Sequence, residues 1–247
     1  MTQRKPLVAA NWKMNGSKAL VDDMTQALAA VDFTAVDVLI CPPATLLPLF
    51  KQNSGLALGG QNLSQYDAGA YTGELSAELL LQAGAQYVLV GHSERRSLFA
   101  ESDDVLLAKV QQAVACGLTP VFCVGENLQQ RQQEKTTEVL AKQLAAVYAS
   151  HPELLAKSVI AYEPVWAIGT GEAATPKQAQ QAHAAIRQHL ARYDEAAASK
   201  VLILYGGSVN AGNARALFSE ADIDGGLVGG ASLKPAEFLE ICQSAKD

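Results

Sequence analysis

The chain contains 247 residues, of which 49% are hydrophobic and 18% charged, a composition that can bury a large core and is not typical of disorder. Its formal net charge of −6 argues against a protein that binds nucleic acid. No apolar stretch approaches the roughly 18 residues that a membrane span requires, and the apolar run at residues 7–10 is too short for a signal peptide.

Short apolar segments recur along the chain and predict eight β-strands. They lie near residues 7–12, 36–41, 56–61, 87–91, 120–125, 159–163, 201–205 and 226–228. Helical patterns follow most of these segments. For example, Ser102 is a predicted N-cap with two aspartates after it, and Gly117 is the predicted end of the same helix. Thr175 and Pro176 predict the start of another helix.

The alternation of strands and helices predicts a parallel sheet with right-handed crossovers. Eight such units in a chain of about 250 residues predict closure into one (β/α)8 barrel, which would form a single domain over residues 1–247. An open doubly wound sheet is the alternative. It is disfavoured because the evenly distributed units leave no second domain, and no Pro-, Ser- or Gly-rich linker divides the chain.

Polar residues follow several of the predicted strands, and parallel barrels bind their ligands at the carboxyl ends of the strands. Asn11 and Lys13 follow the first strand, His92 and Glu94 follow the fourth, and Glu163 ends the sixth. Each alone has a structural explanation: a surface lysine, a capping histidine, or a charge at the start of a helix. Their convergence on one face of one barrel favours an active site.

Glu163 links a rigid strand to a segment that is predicted to move. Pro164 stops the strand because it lacks a backbone N–H and has a fixed φ. An apolar tip and two glycines follow, so residues 165–175 are predicted to form a lid. Residues 169–174 also match a loose G-x-G-x-x-A pattern, but a dinucleotide site is rejected because they do not lead directly from a strand into a helix.

Glycine-rich turns follow the seventh and eighth strands, at residues 206–208 and 229–230. Such turns expose backbone N–H groups that a phosphate can approach. A carboxylate base, a histidine, a lysine and a phosphate cradle together suit proton abstraction next to the carbonyl of a small phosphorylated substrate. His92 and Lys13 would stabilise the developing enolate oxygen.

The cysteines and the remaining histidines do not indicate a metal site or a disulfide framework. Four cysteines without C-x-x-C or finger spacing are typical of reduced thiols in a cytoplasmic protein. Solvated or structural roles are favoured for His151, His183 and His189. A metal is therefore not expected.

One connection, residues 62–74, is long, rich in small residues and contains two tyrosines. It could be a mobile surface loop. A functional or subunit-docking loop is favoured, because long loops in compact domains usually have one of these roles.

Five ordered motifs resemble those of the triosephosphate isomerase family and extend over essentially the whole chain. They are residues 11–16 (NWKMNG), 91–96 (GHSERR), 161–171 (AYEPVWAIGTG), 205–209 (YGGSV) and 227–232 (LVGGAS). The resemblance implies the TIM-barrel fold that is named after this family. It also implies interconversion of dihydroxyacetone phosphate and D-glyceraldehyde 3-phosphate through an enediolate, without a cofactor.

The resemblance further implies the role of each site residue. Glu163 would be the base, and His92 the electrophile, which is known to act as a neutral imidazole in this family. Lys13 and Asn11 would bind the substrate and stabilise the oxyanion, with Glu94 as a partner of Lys13. Contacts to the phosphate would come from Gly169, Ser208, Gly229 and Gly230.

A homodimer is also implied by the resemblance. In such a dimer, residues 62–74 would dock beside the partner's first and fourth loops, with Thr72 directed towards the partner's Asn11 and Glu94. Two other functions remain: a different phosphosugar barrel enzyme, and a non-catalytic interaction protein on an isomerase scaffold. The match at Glu163 argues against the first, and the intact set with Lys13 and His92 argues against the second.

Overall fold

The computed structural model describes residues 4–29, 34–50, 55–168 and 173–245. Over these residues, eight parallel strands close into a barrel in chain order. The strands are β1 (Leu7–Asn11), β2 (Asp37–Cys41), β3 (Ala57–Gly60), β4 (Tyr87–Val90), β5 (Thr119–Val124), β6 (Val159–Tyr162), β7 (Ile203–Tyr205) and β8 (Gly225–Val228). β1 pairs in parallel with both β2 and β8, so the predicted barrel is confirmed and an open sheet is excluded.

Helices surround the barrel in the described part of the chain. They are α1 (Lys18–Ala29), α2 (Ala77–Gln82), α3 (Ser93–Leu98), α4 (Asp103–Cys116), α5 (Leu128–Gln132), α6 (Thr136–Tyr148), α7 (Pro176–Leu190), α8 (Glu195–Lys200), α9 (Ala214–Phe218) and α10 (Pro235–Ser244). Short 3-10 helices occur at Ala44–Leu49, Pro152–Lys157, Val165–Ala167 and Gly230–Leu233.

Local sequence signals set the ends of the helices as predicted. The Ser102 side chain accepts a hydrogen bond from the backbone N–H of Val105, and Gly117 ends α4 with a left-handed φ of 90°. At the start of α7, Thr175 forms a capping box with Gln178, and Pro176 occupies the first helical turn. The predicted strands overlap all eight observed strands, and their ends differ by at most two residues.

The side chains of each strand alternate between the inside of the barrel and the layer under the helices. Leu7 and Ala9 of β1 pack inside with Val121 and Cys123 of β5, whereas Val8 and Ala10 pack towards the helices. This period-two pattern is what a parallel barrel with two buried faces requires. The side chains inside the barrel are apolar. Polar residues at inside positions are therefore found only where the strands end.

Candidate active site

The register of the strands directs two polar residues into the end of the barrel. Asn11 continues the inside positions 7 and 9 of β1, and Glu163 continues the inside positions 159 and 161 of β6. Both are almost fully buried, with 5% of Asn11 and 2% of Glu163 exposed. A buried polar side chain needs partners, and these two find them on neighbouring loops.

The Glu163 carboxylate is held by the start of α3. The backbone N–H of Ser93 donates to Oε2 at 2.9 Å, and the Ser93 hydroxyl donates to Oε1 at 3.3 Å. His92 Nε2 lies 3.0 Å from Oε1. The structure therefore brings together Glu163 and His92, which are 71 positions apart in the chain.

Backbone hydrogen bonding fixes the tautomer of His92. The N–H of Glu94 donates to His92 Nδ1 at 3.2 Å, so Nδ1 carries a lone pair and the proton of the neutral ring is on Nε2. Burial lowers the pKa of His92, but the carboxylates of Glu163 and Glu94 outweigh burial, so the pKa is raised above its ordinary value. The N–H of Glu94 opposes that protonation, because an imidazolium would present a second donor to it. In this tautomer, the Nε2–H of His92 can donate a hydrogen bond to a group that lies beside Glu163.

Lys13 is held in an uncommon backbone conformation, with a φ of 52°. Two side chains support it: Asn11 Oδ1 accepts its N–H at 3.0 Å, and Gln61 Nε2 donates to its carbonyl oxygen at 2.8 Å. Its Nζ lies 2.6 Å from Glu94 Oε1. Strain of this kind persists only where the surroundings impose it, and it occurs often at functional sites.

Asn11, Lys13, His92 and Glu163 line one cavity of about 390 Å³ at the carboxyl ends of the strands, whereas Glu94 is not among the described residues that line it. The turns after β7 and β8 also line the cavity, and they contain Ser208, Gly229 and Gly230, the residues predicted to contact the phosphate. Gly230 begins a short 3-10 helix, and a Cβ on it would meet no other atom within 4 Å. Gly169, the fourth predicted phosphate contact, lies outside the described residues, as do residues 170–172 of the predicted lid.

The described ends of the predicted lid are attached to the barrel. Ser208 Oγ donates to the carbonyl oxygen of Ala167 at 2.9 Å, and the N–H of Ala174 donates to the Tyr205 hydroxyl at 3.1 Å. Trp166 Nε1 donates to Glu126 Oε1 at 3.0 Å. Both ends of the segment therefore contact residues that lie at or beyond the carboxyl ends of β5 and β7.

Three residues of this region were given no role in the sequence analysis: Ser93, Gln61 and Glu126. Ser93 holds the Glu163 carboxylate, and Gln61 holds the main chain of Lys13. Glu126 is fully buried and accepts hydrogen bonds from Tyr162, Trp166 and Arg131. Their position within three residues of the ends of β4, β3 and β5 was the available signal, because barrel sites are built from the loops that follow the strands.

Cys123 of β5 lies close to the carboxylate. Burial raises the pKa of its thiol well above the ordinary value, and the charge of Glu163 raises it further, so the thiol stays protonated. All four cysteines are free thiols. Among the described residues, no cluster of His, Cys, Asp and Glu has the arrangement of a metal site, and no helix is long and apolar enough to cross a membrane.

A buried carboxylate beside an imidazole N–H, with a lysine across the cavity, can move a proton at a carbon atom next to a carbonyl group. The fold and the site thus define a (β/α)8-barrel enzyme that works by acid–base catalysis at the carboxyl ends of its strands.

Comparison with known proteins identifies the family. The profile of the triosephosphate isomerase family matches residues 6–245. The triosephosphate isomerase of Alkalilimnicola ehrlichii is 55% identical over 248 residues, covering 98% of this chain and 99% of the relative. Those of Thiobacillus denitrificans, at 50% identity, and Pseudoalteromonas translucida, at 49%, match 98% and 100% of this chain and 99% of their own lengths. The chain belongs to the triosephosphate isomerase family.

The protein accordingly interconverts dihydroxyacetone phosphate and D-glyceraldehyde 3-phosphate, a reaction of glycolysis and gluconeogenesis. A non-catalytic protein and another phosphosugar enzyme, the two alternatives left by the sequence, are set aside by this full-length match.

Proposed function

We propose that Glu163 is the base that carries the proton between the two carbon atoms of the triose phosphate. The observation that carries this proposal is the contact of its buried carboxylate with His92 Nε2 at 3.0 Å. Starting from dihydroxyacetone phosphate, Glu163 removes a proton from C1. The C–H electron pair forms the C1–C2 double bond, and the carbonyl electrons move to the oxygen on C2.

The second half of the reaction returns a proton from Glu163 to the neighbouring carbon. The hydroxyl proton on the C1 oxygen moves to the oxygen on C2, so C1 becomes the carbonyl carbon and the oxygen on C2 becomes a hydroxyl group, while the carboxylic acid of Glu163 protonates C2. No atom is gained or lost, so the reaction needs no redox partner. Asp or Glu is suited to this task because the carboxyl group is a base in one step and an acid in the next.

His92 and Lys13 stabilise the charge that develops on the substrate oxygens. The Nε2–H of His92 donates to the oxygen that becomes negative, an interaction that strengthens in the transition state. The Lys13 ammonium adds a positive charge, and its contact with Glu94 at 2.6 Å supports a fixed position for it. Asn11 acts through its hydrogen bond to the Lys13 main chain, and it contributes to substrate binding from the floor of the cavity.

The phosphate group binds to backbone N–H groups of Ser208, Gly229 and Gly230, and Gly169 remains a predicted fourth contact. Support comes from the open space beside Gly230 and from the shared cavity. In a titration with 2-phosphoglycolate, the amide resonances of these three residues are expected to shift strongly. Glycolate, which lacks the phosphate, should leave them within the experimental error, and equal shifts with both ligands would contradict a phosphate cradle at these turns.

The chain 1–247 forms a single domain in this proposal, and the enzyme is a cytoplasmic homodimer. Free cysteines support the cytoplasmic location. Support for the dimer comes from five exposed residues, here called the assembly patch: Met14, Tyr66, Tyr71, Leu98 and Phe99. Met14 is 96% exposed, Leu98 74% and Phe99 63%, which is unusual for large apolar side chains.

Hydrogen bonds join the loops that carry the assembly patch. Gln61, just before residues 62–74, bonds to Lys13, and Lys13 bonds to Glu94 at the start of α3. The rings of Tyr66 and Tyr71 stack on each other with centroids 4.1 Å apart. A dimer contact at this patch would therefore support the loop that carries Asn11 and Lys13, while Thr72, which is exposed, would reach the partner's Asn11 and Glu94.

Shortening residues 65–71 is expected to give a folded monomer whose kcat is lower by roughly 10-fold or more, because Lys13 loses its support. Sedimentation velocity and activity across dilution would measure both effects. Two exposed leucines provide matched controls: Leu98→Glu should weaken the dimer, and Leu128→Glu, outside the patch, should not. A fully active monomer would show that the loop neither forms the dimer contact nor supports the site.

A further inference from the structure

Gln143 of α6 makes a two-point contact with the end of β5. The backbone N–H of Gly125 donates to Gln143 Oε1 at 2.8 Å, and Gln143 Nε2 donates to the carbonyl oxygen of Gly125 at 3.1 Å. The side-chain amide thus binds both main-chain polar groups of Gly125. Gly125 is the first residue after β5, where the ladder of the barrel ends.

Val124, Gly125 and Glu126, at the end of β5, contact the main chain of Glu163 and Val165. The N–H of Glu163 donates to the carbonyl oxygen of Val124 at 2.8 Å, and the N–H of Val165 donates to that of Glu126 at 3.1 Å. Between them, Gly125 lies directly against Glu163, because a Cβ at position 125 would overlap with the Glu163 carbonyl oxygen. A displacement of Gly125 must therefore displace Glu163 as well.

Gln143 is attached to a rigid element rather than to a loop. Leu140, Leu144 and Val147 bury one face of α6 in the layer around the barrel. Because α6 is packed in place, the Gln143 side chain can hold Gly125 in a fixed position. Proton transfer is sensitive to such support, since a misplacement of about 1 Å at a reacting group can cost on the order of 100-fold in rate.

We propose that Gln143 is a positioning residue for the catalytic base, which it holds in place through the main chain of Gly125. This inference rests on the proposed role of Glu163 as that base. It assigns a catalytic effect to a residue that is not among the described residues lining the cavity.

Gln143→Met, which keeps the length of the side chain and removes both hydrogen bonds, is expected to lower kcat by about 10- to 100-fold with KM changed much less. Gln180 of α7 supplies the matched control, because its amide also makes two hydrogen bonds to one residue, accepting from the N–H of Asp222 and donating to its carboxylate, before β8 and at the opposite end of the barrel. Gln180→Met should reduce thermal stability to a similar degree and leave kcat unchanged. An equal loss of kcat in the two variants, or a kcat of Gln143→Met within twofold of wild type, would overturn the inference.

Gln143→Glu gives a second readout that does not depend on how well Gln143→Met folds. An ionised carboxylate accepts the Gly125 N–H but repels its carbonyl oxygen, whereas a protonated carboxyl group restores both hydrogen bonds. The kcat of this variant relative to wild type is therefore expected to rise as pH falls through the pKa of the introduced carboxyl group. A ratio that stays constant with pH would contradict a role for the two-point contact.

A Glu163→Asp background separates this inference from the proposal on which it rests. Aspartate draws the carboxylate back by one methylene, so Glu163→Asp should lower kcat by itself, and adding Gln143→Met should then cost much less than it does in wild type. Additive losses would show that Gln143 acts independently of the base and would overturn the inference. If Glu163→Asp kept full activity, the assignment of Glu163 as the base would fail instead.

Discussion

Glu163→Gln is expected to lower kcat by roughly 10²- to 10⁴-fold or more, because the amide keeps the shape of the side chain and cannot accept the proton. The amide oxygen can still accept the hydrogen bond from the Ser93 N–H, and the amide NH2 that replaces Oε1 can donate to the Ser93 hydroxyl, so the fold and the cavity should persist. Steady-state kinetics in both directions would measure the loss.

Ligand affinity is the control for this variant. The Kd of 2-phosphoglycolate should change far less than kcat, since the phosphate contacts at Ser208, Gly229 and Gly230 are untouched. Exchange of solvent deuterium into the substrate should be lost together with turnover. If kcat stayed within a few-fold of wild type, another group would have to be the base.

His92→Gln is expected to lower kcat by roughly 10²-fold, because a flexible amide replaces an N–H that is fixed towards the substrate oxygen. The ring is held at both ends, by the N–H of Glu94 on Nδ1 and by Glu163 beside Nε2, and glutamine cannot keep both contacts in one geometry. The carbonyl stretching frequency of bound substrate should move back towards its value in water.

His189 offers the matched control for that experiment. It lies on α7 and contacts the Tyr193 hydroxyl at 2.8 Å, so His189→Gln removes a histidine and a contact that do not belong to the site. Its kcat and the infrared spectrum of its substrate complex should match wild type. A carbonyl frequency that is unchanged in His92→Gln would mean that another group polarises the substrate.

Much of the fold was predictable because its signals are local. Apolar runs of four to six residues gave the strands, while Ser102, Gly117 and Thr175 marked the helix ends through their own side chains or φ angles. The burial of Lys109 in α4 is not indicated by the apolar residues of that helix. That lysine pairs with Glu101 and Asn62, each within 2.7 Å, and no periodic pattern indicates such a partnership.

The sequence by itself determined which residues stand at the strand ends, since eight parallel strands in one barrel must place Asn11, His92 and Glu163 on the same face. Only the tertiary structure decided how they are held. Ser93 contacts Glu163, which lies 70 positions further along the chain. Gln143 contacts Gly125 from a helix whose apolar periodicity predicts its buried face but predicts no contact for its polar residues. Such contacts depend on distances between elements that pack together only after the barrel closes, so no local spacing in the chain encodes them.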